Sequence, residues 1–137
     1  MNFAIAVKAL IIKEGRALLI QRENDRPHKP GQWDIPGGRL DHGEDLYAGL
    51  RRETQEEAGM DIEILAPVDL HHFVRDDGQQ IAMLIFLCAP KSKEVRLSHE
   101  HKAYKWQDIS DRSGFPTWLQ AVLEIYEKNH LSEVQSV

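Results

Sequence analysis

Seven consecutive residues, Ile81-Ala82-Met83-Leu84-Ile85-Phe86-Leu87, carry no polar side chain. So short an apolar run reads as a strand buried on both faces. Other strand signals surround it. Phe3–Lys13 is rich in Ile, Val, Leu and Ala, Ala17–Gln21 is a second apolar run, and Glu14-Gly15 between them suggests a hairpin. Asn24–Gly31, with two prolines and several charges, is a surface loop, and Trp33–Ile35 is a short strand ended by Pro36-Gly37-Gly38. Ile62–Val74 alternates imperfectly as strand, Asp77-Gly78 is a hairpin turn, and Val95–Leu97 and Tyr104–Trp106 are further short strands. Two helices are expected. One runs from about Asp45 to Ala58, stopped by Gly59. The other runs from about Pro116 to Lys128, with Pro116 in the first turn and Trp118, Val122, Ile125 and Tyr126 as its apolar stripe. Several strands, few helices and no regular βαβ alternation predict a mixed α/β or α+β sandwich, not a doubly wound sheet.

The 137 residues suffice for one domain, and no repeat, low-complexity tract or linker divides them, so residues 1–137 are expected to form a single domain. No stretch approaches the roughly 20 apolar residues that cross a bilayer, and Met1-Asn2-Phe3-Ala4 lacks a basic signal-peptide head. Cys88 is the one cysteine, which excludes a disulfide scaffold and an all-cysteine zinc site. A cytosolic monomer or homodimer with no membrane partner is the expectation.

The net charge of −5 is unevenly spread. Residues 41–63 hold eight acids against Arg51 and Arg52, so that segment is −6 and everything else is +1. A local acidic block disfavours nucleic acid as a partner, which needs clustered Lys and Arg, and favours a site for cations.

Glu53, Glu56 and Glu57 fall on one arc of the first helix, beside the arc of Tyr47, Leu50, Thr54 and Ala58. The carboxylates thus begin where the core-facing stripe ends. Like charges at these spacings repel by roughly 0.2–0.5 kcal/mol per pair and oppose the macrodipole near a helix C-terminus, although Arg52 four residues before Glu56 offsets part of this. Oxygen ligands converging from one helical face suit Mg²⁺ or Mn²⁺. The plain alternative is a solvated acidic face. Upstream, Pro36-Gly37-Gly38 permits positive φ and close backbone approach, so its carbonyls suit a metal shell and its amides suit phosphate oxygens.

Gly38, five residues, Glu44, seven residues and then Arg52-Glu53-Thr54-Gln55-Glu56-Glu57-Ala58-Gly59-Met60 make a long pattern. This pattern, residues 38–60, resembles the signature of the Nudix hydrolase superfamily, to which MutT-type nucleotide pyrophosphohydrolases belong. Thr54 departs from an aliphatic position in that signature. Leu18-Leu19-Ile20-Gln21-Arg22, followed by Trp33-Asp34-Ile35-Pro36-Gly37-Gly38, looks like the family's approach to it, and Glu100-His101 with Tyr104 and Trp106 looks like its later acidic loop. The resemblance implies a mixed α/β fold, an α/β/α sandwich with a mixed central sheet, over nearly the whole chain.

It also implies roles. Metal ligands would be Gly37, Glu53, Glu56 and Glu57, with Glu100 as a further ligand or general base. Arg52 would orient the helix carboxylates, and Glu44 would mainly cap the helix, with an outer role beside it. Glu53, ahead of Glu100, would take the proton of an attacking water. Arg22, Arg39 and Gly38 are the expected substrate contacts. The implied reaction is Mg²⁺-dependent hydrolysis (Mn²⁺ as substitute) of a nucleoside diphosphate linked to another group, and the partner is a small nucleotide.

Other residues carry plainer readings. His99 and His101 share one side of an extended segment with Glu100 opposite, which makes a poor zinc site. His71-His72 is strand surface, Cys88 an inert buried thiol, and Trp33, Trp106 and Trp118 are core, with Trp33 or Phe73 as a base-stacking alternative. No proline marks the ADP-ribose class some 15 residues past the signature, no tyrosine the dinucleoside-polyphosphate class, and no Trp-Pro-Phe-Pro run the NADH class. A MutT-like nucleoside triphosphate pyrophosphohydrolase is the reading that remains. Hydrolysis of another conjugate such as ADP-ribose, or a non-catalytic nucleotide sensor, is the alternative. An isomerase of the same fold would need a cysteine before the signature, and Cys88 lies after it.

Overall fold

A computed structural model describes residues 3–135; the ends of the expected 1–137 domain lie outside them. Seven strands run β1 (Phe3–Lys13), β2 (Arg16–Arg22), β3 (Trp33–Asp34), β4 (Gly37–Arg39), β5 (Ile62–Val74), β6 (Gln80–Pro90) and β7 (His101–Asp108). The helices are α1 (Leu46–Ala58), α2 (Thr117–Lys128) and α3 (Ser132–Gln135), and a 3₁₀ turn occupies Arg112–Gly114. The strands form one mixed sheet ordered β3-β2-β1-β6-β5, with β4 also on β1 and β7 also on β2. β1 and β6 are parallel over Phe3–Ile11 and Gln80–Cys88; every other pairing is antiparallel.

Alternation sorts the side chains into two layers. Leu10 and Ile12 of β1 and Ile81, Met83, Ile85 and Leu87 of β6 pack with Leu119, Val122, Leu123 and Tyr126 of α2. Val7, Ala9 and Ile11, with Phe86 and Cys88, pack with Leu50 and Ala58 of α1. The sheet is therefore covered on both faces, as the unbroken apolar run of β6 requires. Thr54 is fully buried, and its hydroxyl donates to the Leu50 carbonyl at 2.7 Å, so the polar residue in the core stripe is satisfied within its own helix.

Several expectations are corrected. Val95–Leu97 is no strand. Its amides close the end of α1, Arg96 N–H donating to the Ala58 carbonyl at 2.7 Å and Ser98 N–H to the Glu57 carbonyl at 3.2 Å, while Val95 and Leu97 pack on the α1-side core. Asp45, not Glu44, caps α1, accepting from the amides of Tyr47 and Ala48. Tyr47 is 47% exposed and meets Phe86 edge-on instead of lying in the core. Pro116 precedes α2, whose fully buried stripe is Leu119, Val122, Leu123 and Tyr126, with Trp118 and Ile125 at its margins. His101 is buried while His99 is exposed, so the two do not share a side. Cys88 is buried, and burial pushes its thiol pKa up to about 12, as an inert thiol requires.

Candidate active site

A missing side chain decides where this site forms. Gly37 has φ 146°, and a Cβ there would strike the Val7 carbonyl oxygen and sit 2.9 Å from Lys8 Cδ. Without one, β4 lies tightly against β1, with Gly37 in register with Lys8. A Cβ on Gly38 would stand 2.7 Å from Glu53 Oε2. Bare backbone at both positions lets α1 press its carboxylates onto β4.

Glu57 Oε1 accepts the Gly37 N–H at 2.7 Å. Burial raises the Glu57 pKa to about 7, against the pull of the Lys8 charge and the Gly37 amide. Burial also raises Glu53, against Arg52. Glu56 is different: its side chain is 58% exposed and lies 3.2 Å from the Arg52 guanidinium.

Arg52 organises the face. Its Nε donates to Glu44 Oε2 at 2.7 Å and its Nη2 to Glu44 Oε1 at 2.9 Å, a bidentate pair, and its Nη1 is 3.2 Å from Glu53 Oε1. The bond to Arg52 holds the Glu44 carboxyl down to about 2, and Glu44 in turn helps raise the guanidinium further above its ordinary value. Glu44 thus serves the carboxylates through Arg52, not the helix end.

Lys8 is a site residue that sequence reasoning passed over. Its Nζ is 3.1 Å from Asp34 Oδ2 and donates to the Ile35 carbonyl at 3.3 Å, with the side chain 15% exposed. Burial works against the ammonium, but Asp34 and Glu57 outweigh it and the net shift is upward. The available signal was a single lysine inside the apolar run Phe3–Ile12.

A cleft of about 810 Å³ opens on the α2 side of the sheet. Lys8, Gly38 and Arg39 line it together with His71, Phe73 and Trp118. His71 bonds Asp69 at 2.8 Å and meets the Trp118 ring edge-on at 6.1 Å. It is therefore half-buried in a cleft, not strand surface, and Trp118, partly buried against the α2-side core, is also a wall of that cleft. Trp33 lies outside this lining, under Lys105 Nζ at 4.4 Å.

The remaining candidates are spread out. Arg39 lines the cleft, with Nη1 donating to Gln79 at 2.6 Å; Arg22 does not, and its Nε donates to the His28 carbonyl at 2.8 Å. Glu100 lies 3.3 Å from Arg26 Nη2. Glu53 and Glu57 therefore meet at the glycine turn, whereas Glu56 and Glu100 rest on arginines. Among the described residues no three His, Cys, Asp or Glu side chains form a preformed metal cage. The donors at the turn are all oxygen, carboxylate and carbonyl, which is the chemistry of a hard divalent cation.

Known proteins resemble this chain in both sequence and fold. The family described as NUDIX domain matches residues 2–124. Nucleoside triphosphatase NudI of Escherichia coli strain K12 is 34% identical, over 74% of this chain and 79% of its own length. The crystal structure of a MutT protein from Methanosarcina mazei superposes with a TM-score of 0.84 at 27% identity, covering 94% of this chain and 96% of that one. A MutT NUDIX hydrolase from Burkholderia pseudomallei superposes at 0.78 and 26% identity, covering 90% and 98%.

Proposed function

This chain belongs to the NUDIX family and is a nucleotide pyrophosphohydrolase, and from that premise we propose that its substrate is a nucleoside triphosphate, cleaved with Mg²⁺ or Mn²⁺. The Escherichia coli relative is named a nucleoside triphosphatase, which supports the substrate class. The observation that carries the reading is the pair Glu53 and Glu57, driven by burial toward higher pKa and held against the Gly37-Gly38 turn, whose Gly38 lines an aromatic and cationic cleft. Carboxylates held that way are short of positive charge, which a divalent cation supplies. The same reading takes residues 1–137 as one domain.

The Gly37 carbonyl, Glu53, Glu56 and Glu57 would hold the ion, with Glu100 joining from the loop before β7. A divalent ion held there would supply Lewis acidity toward a phosphoryl oxygen and a lowered pKa for a water molecule. Glu53, first among the candidate bases and Glu100 second, takes the proton of the attacking water on a carboxylate oxygen. That water forms a new P–O bond as the bridging P–O bond to the diphosphate leaving group breaks. Arg52 keeps Glu53 and Glu56 in position, and Glu44 keeps Arg52 in position. Arg39, the Gly38 amide and Arg22 are the proposed phosphate contacts, and Phe73 or Trp118 offers a surface on which the base stacks.

A panel of nucleoside triphosphates, ADP-ribose, dinucleoside polyphosphates, coenzyme A and NADH, assayed with Mg²⁺ in ¹⁸O water, tests the proposal. Preferred turnover of a triphosphate to monophosphate and pyrophosphate is expected, abolished by chelator. Faster turnover of ADP-ribose or a dinucleoside polyphosphate would replace the substrate class.

A further inference from the structure

From Ala6 to Ile12, β1 is buried at every position but one. Val7, Ala9, Leu10 and Ile11 are completely buried, yet Lys8 stands among them. Burying an ammonium in a sheet is costly, and a well-packed apolar pair is often as stable as a buried ion pair. The fold alone therefore gives no reason for a lysine here.

Its geometry suggests a use. An ammonium has three N–H donors. Two are engaged, one by Asp34 Oδ2 and one by the Ile35 carbonyl. Both partners come from the segment just before the glycine turn, and the stem crosses the space left by the absent Cβ of Gly37. The ammonium is thus pinned from one side only. Lys8 also lines the 810 Å³ cleft, beside Gly38 and Arg39. Arg39 donates to Gln79 on an exposed surface and Arg75, also in the lining, is paired with Asp77. Lys8, rooted in the central strand β1, is held instead by the segment that leads into the glycine turn.

We propose that Lys8 is a substrate-contacting residue: its third N–H meets a non-bridging oxygen of the phosphate chain, and Asp34 is the positioning residue that aims it. A desolvated, pre-oriented ammonium loses little freedom on meeting a polyphosphate, so its contact is stronger than that of a solvated surface lysine. The inference rests on the nucleotide-hydrolase reading only for the identity of the ligand, since the contact is with phosphate.

The test compares wild type with Lys8→Met and with the double variant Lys8→Met/Asp34→Leu, which replaces the ion pair by apolar side chains and guards against misfolding of the single variant. In the Mg²⁺-loaded enzyme, KM for the best triphosphate is expected to rise about tenfold or more in both, with the double variant more stable to heat than Lys8→Met, which leaves Asp34 unpaired. Calorimetric binding of inorganic tripolyphosphate is expected to weaken by a similar factor. Asp34→Asn, which keeps the ammonium but loosens its aim, is expected to fall between. A KM and tripolyphosphate affinity within twofold of wild type in both folded Lys8 variants would overturn the proposal. Wild type that hydrolyses no nucleotide, yet loses tripolyphosphate affinity on Lys8→Met, would retain the contact and reject the substrate class instead.

Discussion

Glu57 is held against the Gly37 amide, and burial lifts its pKa to about 7. A carboxyl whose folded pKa lies above its unfolded value destabilises the fold as pH rises through that window. Replacing Glu57 by Gln removes the charge and keeps a group of similar shape. In chelator at pH 8 the variant is expected to be as stable as wild type or more stable, by on the order of 2 kcal/mol after discounting for partial exposure. Its Mg²⁺-dependent hydrolysis is expected to fall about 100-fold or more, and the stabilisation wild type gains from saturating Mg²⁺, on the order of 2–3 kcal/mol at 100 times Kd, is expected to vanish. Denaturant melts with and without Mg²⁺, alongside a turnover assay, read all three. Near wild-type turnover in Glu57→Gln would reject the metal assignment. The glutamates are legible in the sequence because helical spacing alone puts Glu53, Glu56 and Glu57 on one arc. Lys8 is not, because one lysine in an apolar run carries no period. Its meaning depends on Asp34, 26 residues away in sequence.

α1 is the element that carries the carboxylates, and its two ends are fixed by different chemistry. Asp45 caps the start through the amides of Tyr47 and Ala48 at 3.1 and 3.0 Å. Gly59 ends it at φ 64°, and a Cβ there would sit 2.8 Å from Arg96 Cβ. Asp45→Ala is expected to cost about 1 kcal/mol of stability in a denaturant melt with kcat within about twofold of wild type, because the start of the helix lies two turns from Glu53. Gly59→Ala forces a left-handed conformation on an L side chain and crowds Arg96 as well, so it is expected to cost more than Asp45→Ala and to lower kcat. The segment it would displace is bonded to the Ala58 and Glu57 carbonyls. If the two variants cost the same and neither changes kcat, the helix end does not position the site. The same bonds explain why Val95–Leu97 looks like a strand and is not. Its apolar residues do face the core, but its amides answer the unpaired carbonyls of a helix that only the folded chain brings near. Glu44 misleads in the opposite way, standing where a cap belongs while its partner Arg52 waits eight residues on. β4 has no local signal because three residues of glycine and arginine have no strand pattern.

At the scale of the whole molecule, local patterning predicts two helices and most strands, and the resemblance implies the layers, but the sheet order is beyond local reading. β1 and β6 lie parallel and adjacent, and nothing in an apolar run states its partner or direction. Closing that sheet also buries two ionisable groups with opposite consequences for stability. His101, buried at the start of β7, has its pKa lowered to about 4, by burial first and then by the Arg22 charge. Its folded value lies below the ordinary 6.5, so the unfolded chain binds the proton more readily and stability falls as pH drops from about 6.5 through 4. Glu57 works the other way, adding stability as pH drops from about 7 through 4.5. Each contribution is on the order of 2–3 kcal/mol at ~1.4 kcal/mol per pKa unit, so over their shared window they oppose each other. In chelator, wild type is expected to change little in stability between pH 7 and pH 5. Glu57→Gln, with the main group opposing the histidine removed, is expected to lose stability on acidification, and His101→Phe, left with the buried glutamates Glu53 and Glu57, to gain it. Denaturant melts across that range decide the matter, since slopes of the same sign in the two variants would mean that burial of these groups does not govern the acid response of the fold.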